Sequence, residues 1–97
     1  MLTGKQRATL RRIANTYETI GQVGKQGITE PLIRQVDDAL RKRELIKLCV
    51  LETCPLTARE AAEQLAAATH ADIVQVIGYR FILYRRNPER PPVVKFE

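Results

Sequence analysis

The four residues Gly24-Lys25-Gln26-Gly27 have the types and spacing best suited to chemistry in this chain. Glycine reaches positive φ and lets a foreign backbone approach with no Cβ in the way. Lys25 puts a flexible point charge at the tip of such a loop. A short apolar stretch, Thr19 to Val23, leads in, and Thr29 followed by Pro31 opens a helix behind it. The loop therefore stands at a strand-to-helix junction, and amides at a helix start attract phosphate. The same four residues would equally make a tight turn that needs glycine for its shape alone. The G-x-x-G pattern by itself does not separate these readings.

Other reactive side chains are sparse: Cys49, Cys54 and His70. A zinc site needs about four ligands at recognisable spacing, which these three do not supply. Two cysteines make no disulfide framework, and Cys49, inside an apolar run, reads as a small hydrophobe. His70 falls near the end of a helix and reads as a surface or cap residue. A Walker A loop would require G-x-x-x-x-G-K-[ST], a spacing absent around Gly24 and Gly27. With one histidine and no clustered carboxylates outside ion pairs, no nucleophile–base pair is in view. Neither an enzyme, a metal nor a cofactor is expected.

The elements that position the loop follow from caps and periodicity. Thr3-Gly4-Lys5-Gln6 fits a capping box, and Leu10, Ile13, Ala14 and Tyr17 recur on one helical face. A second helix opens at Thr29 with an apolar stripe of Leu32, Ile33, Val36, Ala39 and Leu40. Leu45 to Leu51 reads as a central strand with Lys47 at an exposed position, ended by Cys54-Pro55. Thr57-Ala58-Arg59-Glu60 is a second capping box, and Ala61, Ala62, Leu65, Ala66 and Thr69 face inward from the helix it opens. Asp72 to Ile77 and Phe81 to Tyr84 are strands around a turn at Gly78-Tyr79-Arg80. From Asn87 the chain holds Pro88, Pro91 and Pro92 and should be irregular, with Val93-Val94 as a possible short edge strand.

The order is α-β-α-β-α-β-β. A strand–helix–strand unit implies a right-handed crossover and a parallel pair. The terminal hairpin is antiparallel, so the sheet is mixed. The fold class is α+β, a two-layer sandwich with a mixed four-stranded sheet and helices packed on it. The 97 residues form a single domain, 1–97, with its core over about 2–86 and a Pro-rich tail at 87–97.

Hydrophobic content of 44% is ordinary, and the formal net charge is +5. Its placement is more telling than its total. Lys5, Arg7, Arg11 and Arg12 all lie off the apolar face of the first helix, and no acidic residue precedes Glu18. Solvated faces normally mix signs, so this unbalanced one points to a polyanion. The second helix differs: Glu30–Arg34, Asp37–Arg41 and Asp38–Lys42 are spaced as acid-before-base pairs. Arg80, Arg85 and Arg86 flank the last strand and join the candidate surface. Lys5 and Arg7 arrive before any apolar run, and no stretch nears the roughly 20 apolar residues of a membrane span. A cytoplasmic location with reduced thiols is expected.

Four pieces, taken together, resemble a known family. They are Leu2-Thr3-Gly4-Lys5-Gln6-Arg7 with Leu10-Arg11; Val23-Gly24-Lys25-Gln26-Gly27-Ile28-Thr29; Ala39-Leu40 followed by Glu44-Leu45-Ile46-Lys47; and Val74-Gln75-Val76-Ile77-Gly78 followed by Leu83-Tyr84-Arg85. In this order they look like the CRM domain, the RNA-binding module named for chloroplast RNA splicing and ribosome maturation. The resemblance spans residues 2 to about 86, and the short stand-alone form is similar to the bacterial members, which associate with large-subunit precursors. It implies a fold similar to the C-terminal domain of bacterial translation initiation factor 3. It also implies that RNA is met by Gly24, Lys25, Gln26 and Gly27 with the adjoining basic surface. Two positions depart from the pattern: Arg43 stands where histidine is common, and Tyr79 where basic or polar residues occur. The K-homology module also carries a G-x-x-G loop, but between two helices, and here a strand precedes it.

The expected function is RNA binding, with large-subunit ribosomal RNA or its precursor particle as partner. Lys25, the loop amides, Lys5, Arg7, Arg11, Arg12, Arg80, Arg85 and Arg86 are the contacting groups, on a monomer without metal or membrane. Such phosphate contacts position RNA without reading its sequence. Tyr79, in the turn, is the aromatic residue placed to stack on a base, whereas Tyr17 and Tyr84 belong to the core. The alternatives are a protein-interaction module on the ribosome and, behind it, a nucleotide-phosphate-binding protein.

Overall fold

A computed structural model describes residues 2–94. Its elements are α1 (Gly4–Ala14), β1 (Gly21–Val23), α2 (Glu30–Arg43), β2 (Leu45–Val50), α3 (Ala58–Thr69), β3 (Asp72–Ile77) and β4 (Arg80–Tyr84). The order is the expected one. Both capping boxes form: the Thr3 and Thr57 hydroxyls accept from the amides of Gln6 and Glu60, whose side chains accept in return from the cap amides. Thr29 caps α2, with Pro31 in the first turn, where a missing N–H costs nothing.

The sheet runs β1-β2-β4-β3, with β1 parallel to β2 and the other neighbours antiparallel. β2 is central, and its residues alternate between two cores. Ile46, Leu48 and Val50 pack with Leu32, Val36 and Leu40 of α2 and with the alanine-rich face of α3. Leu45, on the other face, packs with Leu10 and Ala14 of α1 and with Val74, Ile82 and Tyr84. Because both faces of β2 are covered over its first half, it reads in sequence as an apolar run broken by Lys47 alone. Helices on both faces make the sheet the middle of three layers, where two were expected. Helical periodicity shows that α1 has a buried face, but not which side of the sheet receives it.

Two further differences concern ends of elements. The hairpin turn is Gly78-Tyr79 alone; Arg80 already belongs to β4, paired with Ile77 and Cys49. Gly78 takes φ +57, as the first position of a two-residue hairpin turn requires. The tail up to residue 94 adds no strand at Val93-Val94. Instead Val94 is buried in the α1-side core. Residues 95–97 of the Pro-rich segment lie outside the described residues.

Candidate nucleic-acid interface

The loop begins where β1 ends. The Gly27 amide donates to the Gly24 carbonyl at 3.0 Å and closes a four-residue turn with Lys25 and Gln26 exposed at its centre. The Lys25 and Gln26 amides find no acceptor among the described residues. Gly27 has φ +68, a conformation that disfavours any side chain with a Cβ. Gly24 is different. Its φ is not in that region, and a Cβ added there would meet, among the described residues, only the Leu51 Cδ1 at 3.7 Å, an ordinary contact. The fold thus explains the second glycine and leaves the first open to a close approach from outside.

The helix start behind the loop is a poorer phosphate site than the sequence implies. Pro31 has no N–H, the Leu32 amide is taken by the Thr29 hydroxyl, and the Ile33 amide by the Thr29 carbonyl. Glu30 adds a carboxylate to the first turn. The donors on offer are therefore those of the turn.

Two backbone bonds gather other segments at this end of the sheet. The Leu51 amide donates to the Val23 carbonyl at 2.9 Å, and the Val50 amide to the Tyr79 carbonyl at 2.7 Å. The G-x-x-G turn, the connection after β2 and the Gly78-Tyr79 turn thus share one rim. Leu51, Ile77 and Tyr79 are exposed there, Ile77 and Tyr79 by more than half. Arg80 is exposed and makes no ion pair among the described residues.

On α1, Lys5, Arg11 and Arg12 are exposed. Arg7 is half-buried, and its Nε is enclosed without a hydrogen-bond partner among the described residues. Lys47, expected to be exposed on β2, is half-buried. Its Nζ donates to the Ala14 and Tyr17 carbonyls at 3.3 Å each and neutralises the negative end of α1. α1 packs over β2 and β3 on the face opposite α2, so the basic helix and the loop belong to different layers.

Arg85 and Arg86 are spoken for inside the protein. Arg85 donates to the Asp37 carboxylate and the Thr69 carbonyl at 2.7 Å each, and to the Asp37 carbonyl at 3.1 Å. Arg86 pairs with the Glu44 carboxylate at 2.9 Å and also donates to the Asn87 carbonyl. The expected pairs on α2 form only in part. Arg41 takes both Asp37 and Asp38, and no ion pair joins Glu30 to Arg34 or Asp38 to Lys42 among the described residues. Asp37 is held below its ordinary pKa, first by the hydrogen bond from Arg85 and then by the charges of Arg85 and Arg41.

Glu44 is the structural residue that sequence reasoning missed. It is fully buried, with φ 64 and ψ −38 at the end of α2. Its carboxylate accepts from the amides of Asn87 and Val93 at 3.0 Å each. Burial pushes its pKa up, but the amides of Asn87, Val93 and Val94 and the charge of Arg86 outweigh that and leave it lowered. The signal in the sequence was an acid at the negative end of a helix, directly after Arg41-Lys42-Arg43, where the dipole disfavours it.

Among the described residues no group of three or more His, Cys, Asp or Glu side chains is placed to hold a metal. No helix among them is long and apolar enough to cross a membrane.

Residues 2–85 match the family model of the CRS1 / YhbY (CRM) domain. The chain belongs to this family. A Bacillus subtilis protein named a probable RNA-binding protein is 40% identical to the CRM chain over 93 residues, covering 96% of it and 97% of the relative. A probable RNA-binding protein of Methanocaldococcus jannaschii is 41% identical over 86 residues, covering 87% of this chain and 63% of that longer one. The solution structure of a hypothetical Staphylococcus aureus protein, described as "a putative RNA binding protein", superposes with a TM-score of 0.76 at 48% identity, covering 89% and 90% of the two chains. The CRM fold and the family membership are therefore those expected from the spaced motifs.

Proposed function

We propose that this CRM domain is a monomeric, cytoplasmic RNA-binding protein that meets ribosomal RNA during assembly of the large subunit. The observation behind it is the Gly24–Gly27 turn, with two amides and the Lys25 ammonium at its tip unpartnered among the described residues, and a first glycine for which the fold has no need. Phosphate oxygens satisfy all three features: they accept from the amides, attract Lys25 and require a close backbone approach. The relatives named as RNA-binding support the same class of ligand. Lys5, Arg11, Arg12 and Arg80 supply further charge, whereas Arg85 and Arg86 hold the fold. Contacts of this kind give salt-dependent affinity with little sequence preference.

Gradient fractionation of a low-salt lysate tests the cellular half of the proposal. The protein is expected with immature large subunits and to be scarce on mature ribosomes. Recovery at the top of the gradient alone would overturn the assembly role.

A further inference from the structure

The register of the sheet puts Gln22 opposite Cys49, Cys49 opposite Arg80, and Arg80 opposite Ile77. These four residues form one row across all four strands. The row faces the α1 side, because Cys49 lies in step with Leu45 and Lys47, and Arg80 with Ile82 and Tyr84. Yet α1 covers only the other half of that face, where Leu45, Ile82 and Tyr84 are buried. Gln22 and Arg80 are exposed, Cys49 is half-buried, and Ile77 is 61% exposed. Cys49, Leu51, Ile77, Tyr79 and Arg80 line a single open depression, with Glu52 the carboxylate on its rim. Tyr79 is 63% exposed beside it.

We propose that this uncovered row, with Tyr79, is a platform for unpaired RNA bases, so that the domain selects single-stranded over duplex segments. The proposal rests on the RNA-binding reading above. Its occupant is set by what adjoins the apolar floor. Gln22 stands two residues before Gly24 on β1, which places the phosphate-binding turn about 7 Å along the strand from the row. Arg80, with no ion pair among the described residues, brings a second cation into the row itself. A nucleotide strand presents a flat apolar base on one side and a phosphate on the other, and needs this pairing of surfaces. The Gln22 amide offers both a donor and an acceptor to a base edge. Four strands at their usual spacing make the row about 14 Å wide, room for two or three bases. In a duplex the base faces are stacked on one another and out of reach.

The test titrates the full chain with a ten-nucleotide oligouridylate and with a ten-base-pair duplex RNA. The parent is expected to favour the single strand. Tyr79→Ala combined with Ile77→Ser should weaken single-strand binding at least tenfold, with the slope of log K against log salt unchanged, because stacking releases no counterions. Tyr79→Phe should keep the parent affinity. Both residues are exposed, and thermal melting should confirm that each variant folds. Ultraviolet cross-linking to oligouridylate, mapped by mass spectrometry, should label the Ile77–Arg80 segment. Equal affinity for single strand and duplex, or a double variant that binds like the parent, would overturn the platform and leave the loop reading standing. Loss of a protein contact in the ribosomal particle, with RNA affinity intact, would overturn it in favour of protein docking. A parent that binds neither RNA at low salt would overturn both readings.

Discussion

The two ends of the sheet use the same residue types for opposite purposes. At the end where β2 begins, Arg85 and Arg86 are tied to Asp37 and Glu44, and the Glu44 carboxylate is closed further by the Asn87 and Val93 amides. At the end where β2 finishes, Lys25 and Arg80 are exposed and make no ion pair among the described residues. The first end tethers the last residues to the fold; the second leaves donors and charge facing solvent. Counting arginines cannot tell these roles apart. What separates them is whether an acid is within reach, and that is decided by contacts more than forty residues apart in sequence.

The largest effect is expected at Glu44. Glu44→Ala leaves the Asn87 and Val93 amides without their acceptor and Arg86 without its ion pair. It should cost about 3 kcal/mol in denaturant unfolding, with RNA affinity of the folded fraction unchanged. Arg85→Ala removes two donors from Asp37 and one from the Thr69 carbonyl. It should cost about 2 kcal/mol and again leave RNA binding alone, measured by melting and titration of one preparation. Arg80→Ala should show the reverse, weaker binding at parental stability.

Acid should loosen the closed end first. The folded-state pKa values of Asp37 and Glu44 lie below their ordinary values of 3.8 and 4.5. Groups with lowered pKa stabilise the fold above the ordinary value and lose that contribution as pH falls through the folded one. Stability should thus be flat above about pH 5 and decline below pH 4.5, and Glu44→Gln should flatten the decline. Unfolding midpoints across pH 3–7 would show it. At the open end, Gly24→Ala should change stability by less than about 0.5 kcal/mol while weakening RNA binding several-fold. Gly27→Ala, forced to φ +68, should destabilise by about 1 kcal/mol.

The sequence made the open end legible and the closed end obscure, for a physical reason. Caps, turns and periodicity are local, so Thr3, Thr29, Thr57 and Gly24–Gly27 announced themselves within a few residues. The alternation of β2 between two cores was hidden because both faces of its first half are covered, and so was the side of the sheet that α1 takes. Arg85, Arg86 and Lys47 looked like free surface because their partners are distant in sequence. Val94, buried beside Leu10 and Tyr84, was hidden by the prolines before it, which read as an irregular tail.

The claim that the turn binds phosphate rests most directly on Lys25. The measurement is RNA affinity of the parent and of Lys25→Ala across a range of salt, with melting temperatures taken on the same samples. Lys25→Ala should melt like the parent, bind several-fold more weakly, and show a log K against log salt slope smaller by about 0.7, one single-strand phosphate contact. A variant with parental affinity and slope, while Arg11→Ala with Arg12→Ala loses binding, would make the turn a piece of scaffold and α1 the site.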